Sequence, residues 1–441
     1  MPVRDDPVDS AFQPNFSSTK EQGRTLALAS LGGALEFYDF VVFVFWTPTL
    51  SVLFFPPDSP EWVRVLQTFG IFAAGYMVRP LGGILMGHFG DLIGRKRMFM
   101  LSVLMMALPT LAIAFLPTYA AIGVFAPLLL LLCRMLQGAA VGGEVPGSFV
   151  FVAEHVPNAR VGVACGILQA GLCCGNILGS GAALLISSLF APSEILEFAW
   201  RIPFFAGGVF GLVALYLRKW LHETPVFVEM QKRKSLETGI PLATVLTKHR
   251  PGVSVSMILT WALSATIIVV LLMTPTMLQK QFGIIASVAQ TGNLLATIGL
   301  VIGAAIYGWL AGSFGVTRVI VSGCVIQSIC YLVLLQVAGN GSAFVVPIYA
   351  LTGLSLGVIG AYPLVWIRSF PARVRFSGIS FSYNVAYAIF GSITPIMIGY
   401  AVSWNRMTPV WYVAAVSGVA IATMLVMQAR VRNFAFSEAK A

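Results

Sequence analysis

The chain has 441 residues, of which 58% are hydrophobic and only 10% charged, and its mean hydropathy is +0.86. A soluble domain carries about 25% charged residues, so lipid rather than water must surround most of this chain. The formal charge of +10 sits between apolar runs with no long basic–aromatic segment. That pattern excludes a nucleic-acid partner and points to the loop charge asymmetry of membrane proteins.

A polar stretch containing Asp5, Asp6 and Asp9 precedes the first apolar run, which is too long to be the core of a signal peptide. A spanning helix needs about 20 mainly apolar residues. On that length the sequence predicts spans near 26–54, 67–86, 98–116, 121–145, 162–189, 200–220, 254–278, 291–311, 318–337, 344–368, 378–402 and 409–430. With the N-terminus in the cytoplasm, 21 of the 27 basic residues fall on the inner side, among them Arg95, Lys96, Arg97, Arg218, Lys219, Arg373 and Arg375. Arg64, Lys280, Arg406 and Arg201 fall outside. The imbalance predicts cytoplasmic termini and an even number of spans in the cell inner membrane.

The longest inner connection divides the chain into a tail (1–25), a first six-helix bundle (26–220), a linker (221–253), a second bundle (254–430) and a second tail (431–441). A faint repeat crosses the divide. Residues 87–97 read GHFGDLIGRKR and 308–318 read GWLAGSFGVTR, each with a second Gly seven residues after the first and a basic residue at the turn. Repeated six-span halves are a known transporter architecture.

Charge inside the spans is the strongest functional signal, because an ionisable residue at the bilayer centre costs at least about 2.5–3.5 kcal/mol. At about 1.5 Å per residue, Glu36, Asp39, Arg79 and Arg134 fall near mid-depth, with Glu144 nearer the inner side. Two acids against two guanidiniums can offset their desolvation by pairing. Glu36 and Asp39 share one helix face, with Tyr38 beside them. Desolvation disfavours the charged form of an acid, so Glu36 or Asp39 is the candidate for proton coupling. The planar fork of Arg79 or Arg134 suits recognition of an anion. A static salt-bridge cluster is the alternative.

The second half offers no ionisable acid or base well inside a span. It offers Trp261, Asn293, Gln327, Tyr349, Tyr362, Tyr383, Asn384 and Tyr387 instead, which line a cavity or simply pack. The four His lie near inner helix ends, and the six Cys fall inside apolar runs without metal-ligand spacing. No metal or cofactor is expected. Gly171, Gly175 and Gly179 follow the small-xxx-small spacing of closely packed helices. No catalytic constellation or phosphate loop is present, and the connections are too short for a signalling domain.

The turn Gly87-His-Phe-Gly90-Asp91-Leu-Ile-Gly94-Arg95-Lys96-Arg97 resembles the signature loop of the major facilitator superfamily. Glu36-Phe-Tyr38-Asp39-Phe, Arg79-Pro80-Leu-Gly82-Gly83, Arg134-Met-Leu-Gln137-Gly138 through Gly142-Gly143-Glu144, Trp200-Arg201-Ile-Pro203-Phe204 and Glu223-Thr224-Pro225-Val-Phe227 resemble its metabolite:H⁺ symporter family. Members of that family carry proline and betaine, α-ketoglutarate, citrate or shikimate. The resemblance implies an all-α twelve-helix fold and alternating-access uptake of a small carboxylate or zwitterion with protons. It implies a monomeric carrier with a cytoplasmic gate at Gly87, Asp91, Gly94 and Arg95, with Glu144. The solute-binding candidates are Tyr38, Arg79, Arg134, Tyr362, Tyr383 and Asn384. Two departures stand out: Gly312 replaces the acid expected in the second signature loop, and span five lacks the Gly-Pro element of many drug/proton antiporters. The alternative function is a proton-independent facilitator or a proton antiporter exporting a small solute.

Overall fold

The computed structural model describes residues 18–237, 239–341 and 344–438, apart from the side chains of Glu36, Phe40 and residues 430–438. Among these residues twelve helices are long and apolar enough to cross a membrane. They are α1 (Thr19–Phe45), α2 (Glu61–Ile93), α3 (Arg95–Phe115), α4 (Phe125–Ala153), α5 (Asn158–Leu189) and α6 (Arg201–Arg218) in the first half. The second half holds α7 (Arg250–Phe282), α8 (Ala286–Phe314), α9 (Val316–Gly339), α10 (Val345–Arg368), α11 (Ala372–Ala401) and α12 (Thr408–Ala429). The face carrying the α6–α7 connection is called the linker face below.

The helices are apolar outward and tightly packed inward. On α2, Met77, Leu81, Leu85 and Phe89 form an exposed stripe at i,i+4 spacing, whereas Arg79, Gly82, Gly83, Met86 and Gly90 are buried. Such a helix is stable only where lipid meets the stripe, since its backbone is satisfied internally. Where α2 crosses α4, a Cβ on Gly138 or Gly142 would strike the backbone of Gly75 or Arg79, so close approach depends on these glycines.

Several boundaries differ from those expected. The first run breaks at Trp46 into α1 and a short helix, Thr47–Phe54, with Pro48 in its first turn. The expected turn at 87–97 is helical up to Ile93, because Gly87 and Gly90 let α2 pack against Ser377 and Phe376 of α11. The break is confined to Gly94, whose φ of 120° is open to glycine and strained for other residues. Gly315 (φ 94°) makes the equivalent break between α8 and α9. The linker contains two short helices, Pro225–Lys232 and Pro241–Lys248, and α7 starts at Arg250.

Candidate functional site

Three of the four mid-depth charges can be described fully. Asp39, Arg134 and Arg79 are 3%, 5% and 6% exposed, so each needs a partner inside the protein. Arg134 faces Asp39 at 3.6 Å. Gln137 completes the pair: its Oε1 accepts from Arg134 Nη1 (2.9 Å), and its Nε2 donates to Asp39 Oδ2 (2.7 Å) and Thr110 Oγ1 (2.8 Å). The Arg134 guanidinium also lies over Phe43, 4.2 Å from the ring centroid. Asp39 Oδ1 has no hydrogen-bond partner. The side chain of Glu36 lies outside the described residues.

Arg79 is held differently. No carboxylate among the described residues pairs with it, and its Nε has no hydrogen-bond partner. Its guanidinium instead sits 4.7 Å from the ring centroid of Tyr387, 5.4 Å from Tyr76 and 6.0 Å from Tyr383. Tyr383 and Tyr387 come from α11 in the other half. Desolvated cation–π contacts are worth about 2 kcal/mol or more, which offsets part of the cost of burying the charge. A small cavity in front of Arg79 is lined by α2, α3 and α4 and reaches Arg134 and Gln137.

The remaining expected solute contacts are elsewhere. Tyr38 turns toward α6, donating to Pro203 O at 2.9 Å. Tyr362 is 1% exposed and lies 3.5 Å from Cys324 Sγ inside the second half. Asn384 is a strut between the halves: its Nδ2 donates to Gly142 O (2.7 Å) and Ser380 O (2.8 Å). Of the second-half residues expected from the sequence, Tyr383 and Tyr387 adjoin the mid-depth Arg79. Tyr349 donates to Val270 O (2.6 Å) and Asn293 Oδ1 (2.9 Å). Trp261 stacks on Phe390, and Gln327 is fully buried.

Below Asn384 the two halves meet all the way to the linker face. Asp91, fully buried, accepts from the backbone N–H groups of Phe376 (3.3 Å) and Ser377 (2.8 Å) at the start of α11. Arg95 bridges Asp91 and Glu154, at 3.2 Å each, and donates to Ala372 O at 2.7 Å. Glu154 also takes Arg375 Nη1 at 3.0 Å and Thr224 Oγ1 at 2.8 Å. Gly94 leaves room for Glu223, which accepts from the backbone N–H groups of Arg95 and Lys96 at 3.1 Å each. Burial pushes the Glu223 carboxyl above its ordinary value, against the opposing effect of these hydrogen bonds and of Arg95.

Glu144 does not belong to this cluster. It pairs with Arg218 of α6 at 2.7 Å and accepts from Ser102, so it ties α3, α4 and α6 together within the first half. Glu154, one residue past α4, occupies the place expected for it. Gln137 enters the sequence reading only as part of the α4 motif, with no role assigned, and Glu154 does not enter it. A lone acid just beyond an apolar run, facing a basic signature loop, was the available signal for Glu154.

Twelve spans around mid-depth charges, with an ionic seam between the halves at one face, define a multi-pass membrane carrier. The Major Facilitator Superfamily model matches residues 29–395, and the chain belongs to that superfamily. It is 32% identical over 433 residues to the inner membrane metabolite transport protein YhjE of Escherichia coli K12, covering 94% of this chain and 96% of that one. It is 30% identical over 428 residues to a proline/betaine transporter of Salmonella typhimurium, covering 92% and 83%. Among solved structures it is similar in fold to the proton:xylose symporter XylE (TM-score 0.78, 17% identity, 93% and 96% covered). It is also similar to the E. coli fucose:proton symporter FucP (TM-score 0.66, 16% identity, 91% and 98% covered). The protein is a solute transporter and not an enzyme.

Proposed function

We propose that the protein is a proton-coupled symporter of the bacterial inner membrane that takes up a small carboxylate-bearing or zwitterionic solute by alternating access. The linker face is the cytoplasmic face, as the basic residues Arg95–Arg97, Lys219, Lys232–Lys234 and Arg373 argue. The relatives, a metabolite transport protein and a proline/betaine transporter, support solute transport.

The observation that carries proton coupling is the Asp39–Gln137–Arg134 unit. A proton added at the free Oδ1 of Asp39 breaks no existing hydrogen bond, yet it removes the charge that holds Arg134. Neutralising Asp39 therefore releases a guanidinium toward the cavity it shares with Arg79. Proton binding and solute binding are then linked, as symport requires.

The Asp91–Arg95–Glu154–Arg375 cluster is the cytoplasmic gate, in its closed state. Opening must break Arg375–Glu154, Arg95–Ala372 and the two Asp91 bonds to α11, while Asp91–Arg95 and Arg95–Glu154 persist within the first half. Asp39→Asn tests the coupling in proteoliposomes. We expect counterflow exchange of labelled solute to survive and accumulation driven by an imposed pH gradient to be lost. Accumulation at the wild-type level would refute coupling at Asp39.

A further inference from the structure

A second cavity lies inside the first half, away from Arg79, between α1, α3, α4 and α6. Asp39 and Glu144 both line it, and they are its ionisable groups among the described residues. Its lining spans residues 32–39 on α1, 103–110 on α3 and 207–214 on α6, so it runs about 10 Å along the bundle. Gly207, Gly211 and Ala214 face it from α6 with little or no side chain. The space is too narrow for an organic solute and wide enough for water, which settles where polar groups offer hydrogen bonds.

The same device stands at each end. Asp39 faces Arg134, whose guanidinium lies 4.2 Å from the Phe43 ring centroid. Glu144 faces Arg218 at 2.7 Å, and that guanidinium lies 3.6 Å from the Phe99 ring centroid. Arg218 is fully buried and ends α6, so the Glu144 unit is the one nearer the linker face. A Cβ on Gly32 would strike the Arg218 guanidinium. Among the described residues the charged groups facing Glu144 are therefore Arg218 from α6 and, across the cavity, Asp39 from α1, while α3 presents Ser102.

Glu144 can take a proton without leaving a partner unsatisfied. Its Oε2 accepts from Ser102 Oγ, and Ser102 has a second acceptor in Phe99 O at 3.1 Å. A protonated Oε2 donates to Ser102 Oγ while Ser102 turns its own hydrogen to Phe99 O. Arg218 keeps Phe99 O at 3.0 Å and the Phe99 ring. We infer that Glu144 is a second proton-binding site, which exchanges its proton with Asp39 through water in this cavity; this rests on the proton-coupled reading above. The O–H bond at Asp39 Oδ1 breaks as one forms at Glu144 Oε2, and the water between them gains one proton and gives up another. The charge around the cavity is unchanged by the transfer. Asp39 becomes an anion again and recaptures Arg134, so the proton leaves through the first half, by a route apart from the solute cavity.

Infrared difference spectroscopy on the purified full chain tests this without a solute. Between alkaline and acidic pH, the carbonyl stretch of protonated carboxyls should lose one component in Glu144→Gln and a different one in Asp39→Asn. If Glu144→Gln does not fold, Ser102→Ala should shift the same component, because the protonated acid loses its acceptor. The side chain of Glu36 lies outside the described residues, so Glu36→Gln is the control: loss of the assigned component there, and not in Glu144→Gln, overturns the inference. On transfer to D₂O the Asp39 component should exchange more slowly in Glu144→Gln and in the cavity-filling Ala214→Leu, by about a hundredfold, the lower range for a positioned acid–base group. Unchanged exchange in both overturns the transfer. The two readings fail separately. If Asp39→Asn removes its component and Glu144→Gln removes none, coupling at Asp39 stands and this inference falls. If Glu144→Gln removes a component and Asp39→Asn none, coupling at Asp39 falls and Glu144 remains a proton site.

Discussion

The proposed gate makes a quantitative prediction at Arg375. This residue starts α11 in the second half, and its Nη1 meets Glu154 of the first half at 3.0 Å with 17% of the side chain exposed. Replacing it with Gln leaves Glu154 still bonded to Arg95 and Thr224 and costs the second half only the 3.3 Å bond from Arg375 Nε to Phe370 O. What disappears is one charge-assisted bond across the seam, and it exists only while the seam is closed. Hydrogen bonds to charged groups contribute about 1.5–3 kcal/mol, and with RT near 0.59 kcal/mol this shifts the closed-to-open ratio by about 10- to 150-fold. Partial exposure to solvent favours the lower end of that range. Spin labels placed on the linker-face ends of α4 and α11 read the change as a gain of the longer distance in pulsed electron resonance. Arg375→Lys should fall between wild type and Gln. An unchanged distance distribution in Arg375→Gln would refute the claim that this bond holds the gate shut.

Two other perturbations probe the same face. A Cβ at Gly166 would lie 2.7 Å from the Gly308 Cα and 2.8 Å from the Ala304 O, so Gly166→Val should prevent closure between α5 and α8, and the same labels should report an open population even without solute. Closure at the wild-type level would show that α5 and α8 can part without opening the gate. Glu223 predicts a pH effect on stability. Burial raises its proton affinity in the folded state above the ordinary value of 4.5, so the folded form binds more protons than the unfolded form and loses stability as pH rises through that range. Wild type and Glu223→Gln should therefore melt alike near pH 4 and diverge above pH 4.5, with the Gln variant the more stable; parallel melting curves across this range would contradict the assignment.

The sequence made depth readable, because helix rise converts position into distance, and this located Asp39, Arg79 and Arg134 in the middle of the bundle. It left azimuth open. Tyr38 is adjacent to Asp39 in sequence, yet its hydroxyl turns to Pro203. Tyr362 lies near the linker-face end of α10 and faces Cys324. The resemblance implies a gate that includes Glu144, whereas the turn of α4 aims it at Arg218. Span number was legible because hydrophobic length is a local property, whereas the turn expected over 87–97 narrows to Gly94 only through the packing of α2 on α11. The pairing of Glu154 with Arg375 joins residues 221 positions apart, and no local property of one sequence specifies it.

The repeat has diverged into unlike mechanical parts. Where the first copy places Asp91, the second has Gly312, and α8 meets α5 there through bare backbone: a Cβ on Gly162 would lie 2.7 Å from Gly308 O. A contact without side chains has no rotamers to reset and no charges to rehydrate, so sliding it costs little. On the proposed alternating-access cycle the ionic seam is broken and remade at each turn. One duplicated element thus supplies, on the proposed cycle, both a bearing and a latch.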